Sequence, residues 1–259
     1  MQGPPVIFSP RRRLNARARM AAMRRTGNAV STVARELAAD AVDRLGFLNR
    51  TFDRALVIGD VTGTFADHLL AAGGEVVRAD PSPELGLAVA EDAPIEGGPF
   101  NLIVSLGLLD TVNDLPGALA LMRRALAPDA LMIASFLAAG CLPTLRKAML
   151  SADADRPAPR VHPQVDVRAA GQLMTRVGYA SPVVDGWSFD VKFDDLDQLV
   201  GDLRAQAMGN VLADPGPPLG KAALSRARNA FADEADEDGL VRERFEVVTL
   251  SGWSPAPRF

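Results

Sequence analysis

Cysteine is almost missing from this sequence. Its one thiol, Cys141, excludes an intramolecular disulfide and a Cys-rich zinc site. Histidine is nearly as scarce: His68 and His162 are the only two, which excludes a multi-histidine metal centre, and no metal is expected. Lysine is reduced to Lys147, Lys192 and Lys221 among 28 basic residues. No G-x-S-x-G occurs, so there is no nucleophile elbow. No apolar run approaches the roughly 20 residues that cross a bilayer, so membrane insertion is not expected. With a net charge of −4, nucleic acid is not expected as the main partner.

What is present points to a folded α/β chain. A 48% hydrophobic content over 259 residues suffices for one sizeable domain, or a domain with a smaller cap. The start is strongly basic: Arg11, Arg12, Arg13, Arg17, Arg19, Arg24 and Arg25 all precede the first acid, Glu36. A mitochondrial presequence has that character. The same preference for arginine over lysine runs through the whole chain, however, beside heavy Ala, Gly, Asp and Pro use, as in a GC-rich bacterial genome. No apolar signal core follows the basic stretch, so a cytoplasmic location is expected.

Periodicity lays out the rest. "STVARELAADAVDRL" (31–45) is an amphipathic helix with an Asp40–Arg44 pair one turn apart. "RALVIG", "EVVRAD", "FNLIVSL" and "ALMIASF" read as buried strands, with "TFADHLLAAG" and "DLPGALALMRRALAP" as helices between them. Asp114 is placed to cap the second helix, Pro116 sits in its first turn, and Pro128 is expected to stop it. Alternating strands and helices predict a parallel, doubly wound sheet. Further on, helical patterns at 142–152 and 167–178 precede a strand, "SPVVDGWSFDVKF". A helix ending near Gly209 and a charged helix from Lys221 follow, and "RFEVVTLSGW" makes a final strand. The expected divisions are a basic, helical segment (1–50), a Rossmann-like cofactor core (51–137), and a half that completes the sheet with helical insertions (138–259).

"ALVIGDVTGTFADHLLAAGGEVVRAD" carries the chemistry. In an open α/β sheet, ligands bind beyond the carboxyl ends of the strands, and a glycine turn after the first strand lets backbone and a helix N-terminus approach them. Asp80 lies 21 residues beyond Gly59, close to the ~20-residue offset of a ribose-binding acid. It has a plainer alternative role, capping the turn "DPSPEL". Gly59 and Gly63 do not make the G-x-G-x-x-G of dinucleotide enzymes. They fit the first and last glycines of the looser turn of S-adenosylmethionine (SAM) enzymes, with Val57 for its acid and Val61 for its middle glycine.

Several segments carry a family resemblance: "IFSPRRRLNARAR", "FLNRTFDRALVIG", "VNDLPGALALMRRALAPDALMIASF", "PRVHPQVDVRAAGQLMTRVGYASPVVD", "DLRAQAMGN" and "RFEVVTLSGWSP". In that order they resemble the bacterial relatives of mitochondrial complex I assembly factor five, a branch of the class I SAM-dependent methyltransferases. The resemblance implies a seven-stranded sheet of 3214576 order with its last strand antiparallel. It implies SAM as cofactor, held by Gly59, Asp60, Gly63 and Asp80, with Asp92 rather than Glu91 at the adenine. It also implies a protein or small acidic substrate, a respiratory complex I subunit among the candidates. Val57, Val61, Asp60, Asn101 and Asp110-Thr111 depart from the family around this one pocket, which predicts weakened cofactor binding. Asp110 or Asp114 is placed to orient an acceptor. Arg160, His162, Asp202, Arg204, Gly209 and Asn210 match motifs away from the cofactor. They make either a substrate or partner surface, or a network that pins the helical insertion to the sheet. His68 is expected at the surface and Cys141 in packing. The leading expectation is a SAM-dependent methyltransferase; the alternative is a non-catalytic assembly or binding factor on the same fold.

Overall fold

The computed structural model describes residues 5–27, 29–48, 50–154 and 156–256. One sheet contains β1 (Arg54–Ile58), β2 (Glu75–Asp80), β3 (Leu87–Ala88), β4 (Phe100–Leu106), β5 (Leu126–Leu137), β6 (Ala180–Phe193) and β7 (Val241–Trp253). Their order is β3-β2-β1-β4-β5-β7-β6, and every pairing is parallel except the two that β7 makes, with β5 and β6. This is the expected Rossmann-like arrangement with an antiparallel last strand.

The central strands are continuously apolar because helices cover both faces of the sheet. Successive side chains point to opposite faces, so Ala55 and Val57 of β1 enter one core while Leu56 and Ile58 enter the other. The first core is closed by α2 (Thr32–Gly46), α3 (Thr64–Ala71), α5 (Pro143–Ala152), α7 (Leu196–Ala205) and α8 (Lys221–Ala232). The second is closed by α4 (Leu115–Ala125) and α6 (Val167–Val177), through Leu115, Leu119, Met122, Ala170 and Met174. Among the described residues no helix is long and apolar enough to cross a membrane.

Some boundaries differ from the periodicity. α4 ends at Ala125, before Pro128, because Leu126 already pairs with Phe100; a bulge then takes up Pro128 and Asp129, whose φ is 55°. α7 ends at Ala205 rather than near Gly209, and Ala207 follows with φ 60°. β3 has only two residues, too few to leave a pattern.

The basic start forms α1 (Pro10–Arg25), with Ser9 as N-cap accepting from Arg12 N at 3.3 Å. Only Ala16, Met20 and Ala21 give it a buried apolar stripe, worth about 4 kcal/mol on an area basis. The chain before it is clamped. Asn113 Oδ1 accepts from Ile7 N and Phe8 N at 2.8 Å, Asn113 Nδ2 donates to Phe8 O at 2.9 Å, and Ser9 N donates to Val211 O at 2.9 Å.

Candidate functional site

The turn after β1 is built by its glycines. Gly59 has φ 82°, and a Cβ there would lie 2.4 Å from Leu106 O, so no other residue fits without a shift. Gly63 has φ 78° and starts α3. Val61 is spared the left-handed conformation expected to strain it, because the two glycines take both positive φ values. Val57 is not at a loop position at all: it pairs with Arg78 and Val104 inside the sheet and is buried in the first core. Asp60 turns onto the chain itself. Its Oδ1 accepts from Gly63 N at 3.0 Å and Thr62 Oγ1 at 2.9 Å, and its Oδ2 accepts from Ala66 N at 2.9 Å. The free N–H groups of a helix start are what an anionic ligand would use; here a carboxylate of the protein has two of them.

Asp80 ends β2 facing this turn, only 1% exposed. Of the two roles considered for it, the turn cap is seen, and an ion pair with Arg17 stands beside it. Oδ1 accepts from Ser82 N at 2.9 Å, which caps the turn, and also from Arg17 Nε at 3.0 Å, while Oδ2 accepts from the other arm of the Arg17 guanidinium. Arg17 is itself 7% exposed. One turn earlier on α1, Arg13 repeats the arrangement on Glu91, donating to Oε1 at 2.8 Å and to Oε2 at 3.4 Å. The same guanidinium reaches Thr111 Oγ1 at 3.1 Å and Leu108 O at 3.3 Å. Of the neighbouring acids, Glu91 is therefore the buried one; Asp92, expected at the adenine, points outward and is exposed. Both inward carboxylates that line this slot are thus bound by α1. While α1 is docked, Arg17 and Ser82 already occupy both oxygens of Asp80, so this arrangement fits a ribose diol poorly.

Beside the slot, beyond the carboxyl ends of β4 and β5, lies a cavity of about 800 Å³. Leu137, Leu142, Leu145 and Leu196 give it apolar walls, and Arg12, Arg160 and Arg204 give it cationic ones. Asp110 faces it from the single 3-10 turn Leu109–Thr111. No side chain among the described residues hydrogen-bonds its carboxyl, and burial pushes it up to about 6, against the pull of the Arg13 charge. Asp114, the other acceptor-orienting candidate, is committed elsewhere: its Oδ1 caps α4 through Gly117 N at 2.9 Å. α5, a wall of the cavity, is held by the buried Glu243, whose oxygens accept from Thr144 N at 3.1 Å and Leu145 N at 2.7 Å.

The remaining matched residues divide between the cavity wall and a loop network. Arg160 forks onto Asp153 at 2.7 and 2.9 Å and donates to Pro217 O at 2.6 Å. Asn210 Nδ2 donates to Pro159 O at 3.2 Å and Arg160 O at 3.1 Å. His162 Nε2 accepts from Val211 N at 2.9 Å, with its ring edge-on to Phe8, and burial pulls it down to about 4, so it is neutral at pH 7. These bonds join the 159–163 loop to residues 209–211 and, through Val211, to the N-terminal segment. Arg160 also joins this loop to the end of α5 and to the segment before α8. Asp202 and Arg204 are unpaired with each other; Arg204 is exposed at the cavity rim with no acid beside it among the described residues. His68 is exposed, and Cys141 is buried, its thiol pushed up to about 12 by burial.

Sequence reasoning named Arg13 and Arg17 only as part of the basic start and set Glu91 aside for Asp92; it missed Asn113 and Glu243. The i,i+4 spacing of Arg13 and Arg17 places both on one helix face and was the available signal. Nothing local marks Asn113 or Glu243, whose partners lie about a hundred residues away.

A sheet of this order, with a glycine turn after β1 and a cavity beyond β4 and β5, defines a Rossmann-like class I methyltransferase fold. The chain belongs to the methyltransferase domain family, whose model matches residues 31–181, and with it to the SAM-dependent superfamily. It is 30% identical over 178 residues to malonyl-[acyl-carrier protein] O-methyltransferase of Laribacter hongkongensis, covering 68% of this chain but 59% of that relative. It is 25% identical over 241 residues to the mitochondrial arginine-hydroxylase NDUFAF5 of Danio rerio, covering 85% of this chain and 74% of the relative. Among solved structures, a candidate methyltransferase from Bacillus halodurans superposes with a TM-score of 0.52 at 12% identity, covering 84% of this chain and all of that one. α1 lies outside the family match; the slot it fills lies inside it.

Proposed function

We propose that this chain is a methyltransferase-family enzyme acting on a protein or small acidic substrate held in the 800 Å³ cavity, with α1 as a lock on its cofactor slot. Asp110 carries the reading. A carboxyl with no side-chain partner, held near 6 where the fold keeps its acceptor, can take a proton from a substrate near neutral pH. Arg12 and Arg204 on the cavity wall suit the charge of an acidic substrate. α1 sits outside the family match and rests on a thin apolar stripe, so its hold on the slot comes chiefly from the Arg13–Glu91 and Arg17–Asp80 pairs, which are what a cofactor would have to displace. With α1 withdrawn, Asp80 and Glu91 regain free oxygens for a ribose and an adenine.

Calorimetric titration with SAM and with S-adenosylhomocysteine tests this on the wild type and on Arg13→Gln/Arg17→Gln. The expected result is binding to the variant at least about tenfold tighter than to the wild type, a difference of about 1.4 kcal/mol. Adding Asp80→Asn should abolish it. No binding by either folded protein at millimolar ligand would defeat the reading.

A second reading has its own observation. Asp60 occupies the N–H groups that start α3, and Val57 is locked in the core; neither is relieved when α1 leaves. These favour a non-catalytic binding or assembly factor, with a respiratory complex I subunit as candidate partner. Co-purification of such a subunit with a protein that binds no SAM would support it.

A further inference from the structure

α1 has a second face. Arg13, Ala16, Arg17 and Met20 point inward, which leaves Arg11, Asn15 and Arg19 in line on the outside, with Arg12 at their flank. Opposite them stands Arg204, and between the two elements lies a concavity of about 610 Å³. None of the residues lining it is acidic. Arg11, Arg12, Arg19 and Arg204 are all exposed, and no acid pairs with any of them among the described residues. Some other exposed arginines are paired: Arg25 with Glu84, Arg78 with Asp67, Arg228 with Asp197. In a chain of net charge −4, four guanidinium groups around one hollow are a local reversal of sign.

We propose that this hollow is the docking surface for an acidic peptide segment of a partner protein. Guanidinium forks match carboxylates two bonds at a time, and several of them spread over a groove suit a row of carboxylates better than one small anion. A concave floor does not suit a flat anionic membrane. Arg12, Arg204, Gly209 and Asn210 line both this hollow and the 800 Å³ cavity, so a segment bound here is led to the cavity mouth. The docking does not depend on cofactor binding, so failure of the SAM titration leaves it standing.

Fluorescence anisotropy of a short labelled Glu-Ala repeat peptide, at low ionic strength, is the test. The wild type should bind it, more weakly as salt is raised. Arg12→Gln/Arg19→Gln should lose at least about tenfold in affinity, about 1.4 kcal/mol. These side chains are exposed and unpaired, so circular dichroism should report an unchanged fold. Arg204→Gln should weaken binding from the opposite wall. Arg168→Gln/Arg176→Gln removes the same charge from exposed positions on α6 and should change affinity by less than about twofold. Equal losses in the two double variants, or no binding to the wild type, would overturn the proposal. So would inorganic pyrophosphate binding more tightly than the peptide with the same dependence on Arg12 and Arg19, since the hollow would then be a phosphate site.

Discussion

Replacing Asp110 with asparagine should make the protein more stable above pH 6 and leave it unchanged in acid. The carboxyl ordinarily titrates near 3.8, and burial beside the cavity carries it to about 6. Below about pH 4 it is protonated both folded and unfolded, so its burial has no electrostatic cost. Between about 4 and 6 the unfolded chain releases the proton while the folded chain keeps it, and stability falls as pH rises. Above 6 both states are ionised and the cost is constant, about 3 kcal/mol as an upper bound. Cavity water reduces it, so about 1–3 kcal/mol is expected. Asparagine has nearly the same shape and does not titrate. Urea unfolding followed by circular dichroism from pH 3.5 to 8, wild type against Asp110→Asn, reads the difference directly. Any loss of a bond to the neutral acid adds a constant offset, so the pH dependence of the gap is the test. A gap that stays flat, or one that moves in the wild type's favour as pH rises, would refute the placement of Asp110.

Three further outcomes follow from the same contacts. Arg17→Met should cost about 3–5 kcal/mol by leaving the Asp80 carboxylate buried without its cation, and Asp80→Asn added to it should restore part of that loss; a double variant less stable than the single would contradict this. His162 is buried neutral, so the wild type should gain stability as pH rises from about 4 to 6.5, and His162→Gln should flatten that slope in pH-dependent unfolding. Gly59→Ala should lower the melting temperature far more than Gly73→Ala. Both have positive φ, but only at Gly59 would the new Cβ meet backbone, 2.4 Å from Leu106 O, whereas at Gly73 nothing lies within 4 Å.

Strand and helix placement were legible because each rests on local pattern, whereas the order of strands in the sheet came only from the family resemblance. β1 and β4 announce themselves as buried runs, and Asp114 as a cap, within a few residues. The glycine turn and Asp80 were legible for the same reason. What occupies Asp80 was not, since Arg17 lies 63 residues before it, and no periodicity links a helix face to a distant strand end. Asp92 was chosen over Glu91 on a one-residue register in a loop, where nothing but tertiary packing decides which carboxyl turns inward, and here Glu91 is the buried one. His162 and Asn210 were visible as a matched motif, yet their partners are backbone groups of each other's loops, which a sequence does not print.

The clamp on the N-terminal segment has a consequence for how the chain comes off the ribosome. Phe8 is made 105 residues before Asn113, and Val211, which takes the amide of Ser9, comes later still. α1 must wait for both before it can settle. During that interval β1, α3 and β2 are already available to fold, with the Asp80 carboxylate uncovered. Until α1 docks, a nascent or partly unfolded molecule carries the Asp80 carboxylate without its cation, so the docking of α1 is a late step that supplies it.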